Sequence, residues 1–207
     1  MSQNLNAVID ISHFNGDIDF EAVANAGILG IIQKATQGQF DIDPAYQRNR
    51  ANATNAGLLW GAYHFGTGED GISQAEHFLS VVGDFDNVLL ALDFEENPDG
   101  PSMDLNQARA FVTRVQARTG RFPGLYGGSF LKELLGDSSD PVLVQCWLWI
   151  AEYGPAPIIP PNWGTWTFWQ YTDGQQGPEP HTVDGAGPCD RDLFNGPEAQ
   201  LRKLWLS

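Results

Sequence analysis

Residues 88–97 read VLLALDFEEN: five apolar residues, then Asp93, Phe94, Glu95 and Glu96. An apolar run without alternation suits a strand covered on both faces, as in a parallel sheet flanked by helices. Working outward, seven further strand-like segments are predicted at 7–12, 29–36, 58–65, 124–128, 147–152, 167–172 and 190–194, with this one at 88–95. Helical patterns alternate with the early strands. FEAVANAG stops at Gly27 and AYQRNRANATNAG at Gly57, each a helix-ending glycine. GISQAEHFLSVV, residues 103–120 and SFLKELLG complete five helices; beyond Gly136 the chain reads as strand, Pro-rich loop and strand. This alternation predicts an α/β fold of parallel βα units, closing with antiparallel β structure in a helix-poor end. Periodicity alone does not separate a closed barrel from an open doubly wound sheet. The Gly-rich nucleotide fingerprint after the first strand is missing, which counts against a dinucleotide fold.

In a strand, residues i and i+2 face the same side, about 6.6 Å apart. Asp93 and Glu95 therefore project together while Phe94 packs behind. If Asp93 is ionised it raises the pKa of Glu95 and keeps a proton there, as a general acid beside a charge stabiliser requires. In α/β barrels catalytic groups gather at the C-terminal ends of strands, where this pair falls. Asp10 lies within the first strand, and Asp190 and Asp192 in the last. A solvated turn carboxylate is the ordinary fate of Asp and Glu, and Asp17, Glu96 and Asp99 are read that way. Asp192 stays open between the two readings. Lys34 closes an apolar strand; it either pairs with the carboxylates or reaches solvent by its stem.

Five of seven tryptophans (Trp147, Trp149, Trp163, Trp166 and Trp169) crowd together, near Tyr153 and Tyr171. Such faces hold sugar rings, but at least half are expected in the core. The four histidines form no zinc pattern, and no GxSxG elbow is present. His64 fits a pocket position and a structural role equally. Cys146 and Cys189 read as two buried thiols, with a single bridge left open.

The 207 residues carry 11 Lys plus Arg against 26 Asp plus Glu, a net charge of −15. That balance argues against nucleic acid and anionic membranes as partners. No apolar run is long enough to span a bilayer, and the first dozen residues show no secretory signal. Residues 1–207 are expected to form a single domain.

Eight segments, in order, resemble the family 25 glycoside hydrolases, the N-acetylmuramidase type of lysozyme: VIDISHFNGDIDF (8–20), IIQKATQG (31–38), GAYHF (61–65), LALDFEEN (90–97), GLYGG (124–128), LWIAEYG (148–154), FWQYT (168–172) and DRDLFNG (190–196). The resemblance implies an irregular TIM-like barrel of about eight strands, five βα units and a β-only remainder. It makes Glu95 the proton donor and Asp93 the residue that orients or charge-stabilises the reacting sugar, with Asp10 and Asp190 completing an acidic pocket. Tyr63, Tyr126, Trp149 and Gln170 correspond to substrate contacts, and Lys34 joins them as a substrate-binding candidate. The last strand departs from the family's Asp-x-Asn by reading Asp190-Arg191-Asp192. The implied substrate is peptidoglycan, cut between N-acetylmuramic acid and N-acetylglucosamine, with no metal or organic cofactor. A direct carboxylate nucleophile needs the pair about 5 Å apart. The Asp-x-Glu spacing on one strand resembles the arrangement in chitinases, which implies attack by the substrate's own 2-acetamido oxygen, with retention. A monomer acting on the cell wall, outside the cell or during host lysis, is expected. The competing readings are a glycosidase for chitin-like polymers and a silent glycan-binding module; the second would not need the carboxylates.

Overall fold

A computed structural model describes residues 4–206. In chain order the elements are β1 (Leu5–Ile11), α1 (Phe20–Asn25), β2 (Gly30–Gln37), β3 (Asp41–Ile42), α2 (Tyr46–Asn55), β4 (Leu59–Phe65), α3 (Gly71–Val82), β5 (Val88–Asp93), α4 (Leu105–Thr119), β6 (Gly124–Gly127), α5 (Ser129–Leu135), β7 (Trp147–Ala151), β8 (Phe168–Thr172), β9 (Thr182–Val183), β10 (Gly187–Pro188), β11 (Asp190–Phe194) and α6 (Glu198–Trp205). Eight strands close a barrel in the order β1, β2, β4, β5, β6, β7, β8, β11 and back to β1. Every neighbouring pair from β1 round to β8 is parallel, while β11 is antiparallel to both β8 and β1. The barrel with an antiparallel closing strand is the predicted architecture.

Side-chain parity divides the core in two. Leu90, Leu92 and Phe94 belong to the layer between strands and helices, whereas Leu89 and Ala91 fill the barrel interior with Val8, Ile32, Trp149, Phe168 and Phe194. Continuing that parity, Asp93 and Glu95 project on the interior side, at the C-terminal mouth. The helices begin where the sequence offers acceptors: Asp19, Asp70 and Asp104 each take a backbone N–H from the first turn. Gly27 and Gly57 follow α1 and α2 at φ +90° and +80°, a conformation that side chains disfavour.

Besides the two-residue strands β3, β9 and β10, the structure adds one helix that the sequence reading did not contain. Helix α6 is only eight residues long, and its large apolar residues are Leu201, Leu204 and Trp205. It seals the end of the barrel opposite the carboxyls. Trp205 is fully buried in the interior cluster, and its Nε1 donates to the Trp60 carbonyl at 2.7 Å. Its ring lies against Gly30, where a Cβ would come within 2.8 Å. Among the described residues no helix is long and apolar enough to cross a membrane.

Candidate active site

The C-terminal mouth holds a cavity of about 240 Å³ lined by Asp10, Tyr63, Asp93, Glu95, Tyr126, Trp149, Tyr153, Gln170, Asp173 and Asp190. Three strand ends and one strand start supply the acidic groups and Gln170. Asp10, Asp93 and Gln170 stand near the ends of parallel strands, whereas Asp190 begins β11. Because β11 runs the other way, its first residue pairs with Asp10 and reaches the same mouth.

Gln170 organises one wall. The hydroxyls of Tyr126 and Tyr153 donate to its Oε1 at 2.9 and 2.8 Å, and its Nε2 donates to Asp10 Oδ2 at 2.9 Å. With both phenols on the carbonyl side, the amide is turned so that its N–H meets the carboxylate. Trp149 is the floor: it is 1% exposed, packs edge-on against Tyr63 and Tyr126, and donates through Nε1 to Asp192 Oδ1 at 2.6 Å.

Burial is the main force on Asp10, Asp93, Glu95 and Asp190. It raises Asp93 well above the usual carboxylate range, helped by Glu95 and opposed by Lys34. It also raises Glu95, again opposed by Lys34. Asp10 is raised well above its ordinary value by burial and then by Asp190 and Asp192, while Asp190 is pushed up to about 6, chiefly by burial. Both members of the pair are thus pushed upward: Asp93 ends β5 inside the barrel, whereas Glu95 lies beyond the strand and is half-buried. Asp93 Oδ1 is also buried without a hydrogen-bond donor.

Eight of the nine residues expected at the site line this one cavity. The ninth, Lys34, is not in the lining: its Nζ donates to Gln37 Oε1 at 2.6 Å and sits 4.8 Å from the centre of the Phe65 ring. No ion pair joins Lys34 to the carboxyls among the described residues, although its charge acts on Asp93 and Glu95. Two lining residues were not assigned to the site: Tyr153 lies inside LWIAEYG and Asp173 directly follows FWQYT, both just past a strand end. Asp192, left open on sequence, is buried beneath the floor.

The remaining candidates are structural. His64 is fully buried between Thr36 Oγ1 at 2.8 Å and Gln74 Oε1 at 3.0 Å, and burial lowers its pKa to about 3. Of the five clustered tryptophans only Trp149 reaches the cavity; Trp147, Trp163, Trp166 and Trp169 belong to or pack on the core. Cys146 and Cys189 are free and buried. Among the described residues no group of three or more His, Cys, Asp and Glu is arranged to hold a metal ion.

A parallel barrel closed by one antiparallel strand, with carboxyls gathered at its mouth, is a glycoside hydrolase framework. This chain belongs to glycosyl hydrolases family 25, whose family model matches residues 9–179. It is 35% identical to Lysozyme M1 of Streptomyces globisporus, across 95% of this chain and 70% of that protein. It is 28% identical to an N,O-diacetylmuramidase of Arthroderma benhamiae, across 94% and 84%. In structure it superposes on the bacterial lysozyme from Streptomyces coelicolor with a TM-score of 0.86, covering 100% and 99% of the two chains at 34% identity. The family match ends before β11, so the place of Asp190 in the site rests on the barrel's closure.

Proposed function

We propose that the protein is a muramidase that hydrolyses the β-1,4 bond between N-acetylmuramic acid and N-acetylglucosamine in peptidoglycan, with retention and assistance from the substrate's 2-acetamido group. The relatives' activities support the bond. The carrying observation for the mechanism is the Asp93–Glu95 pair on one side of β5, with Asp93 Oδ1 lacking a donor.

Glu95, raised by burial, holds a proton near the mouth and gives it to the glycosidic oxygen as the bond to the anomeric carbon breaks. The acetamido oxygen attacks that carbon and forms an oxazolinium ion. Its N–H is the donor that Asp93 Oδ1 lacks, and the developing positive charge favours the ionised form of Asp93. Water, deprotonated by Glu95, then opens the ring. Tyr63, Tyr126, Tyr153 and Gln170 shape the wall around the sugar, while Lys34 holds positive potential beside the pair.

The test is a digest of purified, reduced peptidoglycan, analysed by mass spectrometry for the new reducing-end sugar, with Glu95→Gln in parallel. A reducing N-acetylmuramic acid, lost with the variant by about 10²–10⁴-fold, supports the reading. A reducing N-acetylglucosamine, or no product from acid to neutral pH, overturns it.

A further inference from the structure

Beside the carboxyl-lined cavity lies a second, of about 380 Å³. The two share three lining residues, Glu95, Tyr126 and Tyr153, whereas Asp10, Asp93 and Gln170 line the first alone. The tyrosines form the partition. Their hydroxyls turn to Gln170 in the first cavity, while both residues also border the second.

The second cavity is a built slot. One wall is the junction of β6 and α5, with Gly128, Ser129 and Phe130; the other is the chain leaving β7 at Glu152. Phe130 packs on Phe94, the residue between Asp93 and Glu95, with 5.4 Å between ring centres. A Cβ on Gly127 would come within 2.7 Å of Leu131, so α5 starts hard against the barrel. On the other wall, the Glu152 N–H donates to the Gln170 carbonyl at 3.1 Å, and the Glu152 carbonyl accepts Trp169 Nε1 at 2.6 Å. Lys132 Nζ of α5 bridges the walls by donating to Glu152 Oε2 at 2.8 Å. Both side chains of that pair are about three-quarters buried, and both backbones are anchored, so little freedom is lost in holding it.

A proton donor stands beside the glycosidic oxygen, which joins the attacked sugar to the sugar that leaves. Glu95 is the one acid common to both cavities, so the bond to be cut crosses between them there. Asp93 lines only the first cavity, which places the attacked sugar in the first and the leaving sugar in the second. Charge then selects the leaving sugar. The second cavity carries the carboxyls of Glu95, Glu96 and Glu152 against the single ammonium of Lys132, and that ammonium is already paired. This balance repels an anionic sugar and accepts a neutral one.

We propose that the second cavity is the subsite for a neutral leaving sugar, an N-acetylglucosamine. In this arrangement the Lys132–Glu152 pair is its specificity-determining element, because it occupies the only cation that could hold a carboxylate. The assignment of leaving and attacked sides rests on the muramidase reading; the preference for a neutral N-acetylhexosamine does not.

Titration of the ¹⁵N-labelled protein with N-acetylglucosamine, followed by amide shifts, reads the subsite without cleavage. Saturable shifts are expected at Ser129, Phe130, Lys132 and Glu152, with weaker ones from N-acetylmuramic acid. Glu152→Gln frees the ammonium and strengthens N-acetylmuramic acid binding several-fold. Shifts confined to Asp10 and Gln170, equal response to the two sugars, or no gain in Glu152→Gln overturns the proposal. In kinetics, Ser129→Trp fills the slot from its exposed rim. Its kcat/KM on soluble glycan is expected to fall about 10–100-fold, with little change on the matching β-glycosyl fluoride, whose leaving group is one atom. Equal losses on both substrates, or none on either, contradict the leaving-side assignment. If the wild type cleaves neither substrate, the muramidase reading fails while the titration still decides the subsite.

Discussion

Gln170 Nε2 reaches Asp10 Oδ2 at 2.9 Å across 160 residues of sequence. The amide is fixed from its other end by two phenols, so an acid from the first strand and two tyrosines from β6 and the loop after β7 share one support. Gln170→Ala leaves the Asp10 carboxylate and both hydroxyls short of partners. A buried polar group left unpaired costs about 1–3 kcal/mol, so kcat is expected to fall by roughly one to two orders of magnitude. Gln170→Glu keeps the acceptor for the phenols but sets a like charge on Asp10, and its deficit grows as pH rises. Steady-state kinetics on soluble glycan fragments at several pH values checks both; a pH-independent loss in Gln170→Glu contradicts the charge argument.

Stability should peak on the acid side of neutrality. Asp10, Asp93, Glu95, Asp190 and Asp192 all have folded pKa values raised by burial. Between the unfolded values near 4 and these folded values, the native state binds more protons than the unfolded chain. Stability therefore falls as pH rises through that window, including about 6 for Asp190 and about 8 for Asp192. Glu76 acts oppositely: hydrogen bonds from Arg118 and Arg114 lower it, and that contribution is lost in stronger acid. Thermal melts at fixed ionic strength should give a higher Tm near pH 5 than near pH 8. A Tm that rises steadily over that range refutes the assignment.

Trp205→Ala should destabilise the fold by about 3–5 kcal/mol, the usual cost of emptying a large aromatic site, and should also orphan the Trp60 carbonyl. Because α6 lies at the end away from the cavity, activity per folded molecule is unchanged. Urea titration with parallel rate assays separates the two effects; a lowered rate in fully folded protein would show coupling between the ends of the barrel.

The net charge of −15 opposes approach to polyanionic walls when screening is weak. Lysis rates on intact cells are therefore expected to rise as salt is increased from low values. A fall over the same range would mean that local attraction outweighs the overall field.

The residues that announced the fold were those whose pattern is local. VLLALDFEEN identifies a buried strand and an acidic end without any tertiary information, because continuous apolar character and the two-residue period are properties of the segment itself. Helix α6 was not legible for the converse reason: eight residues with three large apolar positions gain their helix from docking Trp205 on Gly30, a partner far away in sequence. At the site, parity placed Asp93 and Glu95 on one side, and eight of nine expected residues share one cavity. How far burial raises each of them did not follow from spacing, since it depends on depth within the barrel. Lys34 shows the same limit: its strand position is local, but its ammonium is directed by Gln37 and Phe65.

The reversed direction of β11 has a consequence in time as well as in space. Asp10 belongs to the first strand and Asp190 to the last, and the two become neighbours only when that final strand slots between β8 and β1. A chain still on the ribosome that has not released the residues beyond Val183 carries Asp93 and Glu95 but lacks both the second acid and the closed wall. Closure of the wall, and with it the meeting of Asp10 and Asp190, therefore waits until β11 has been made.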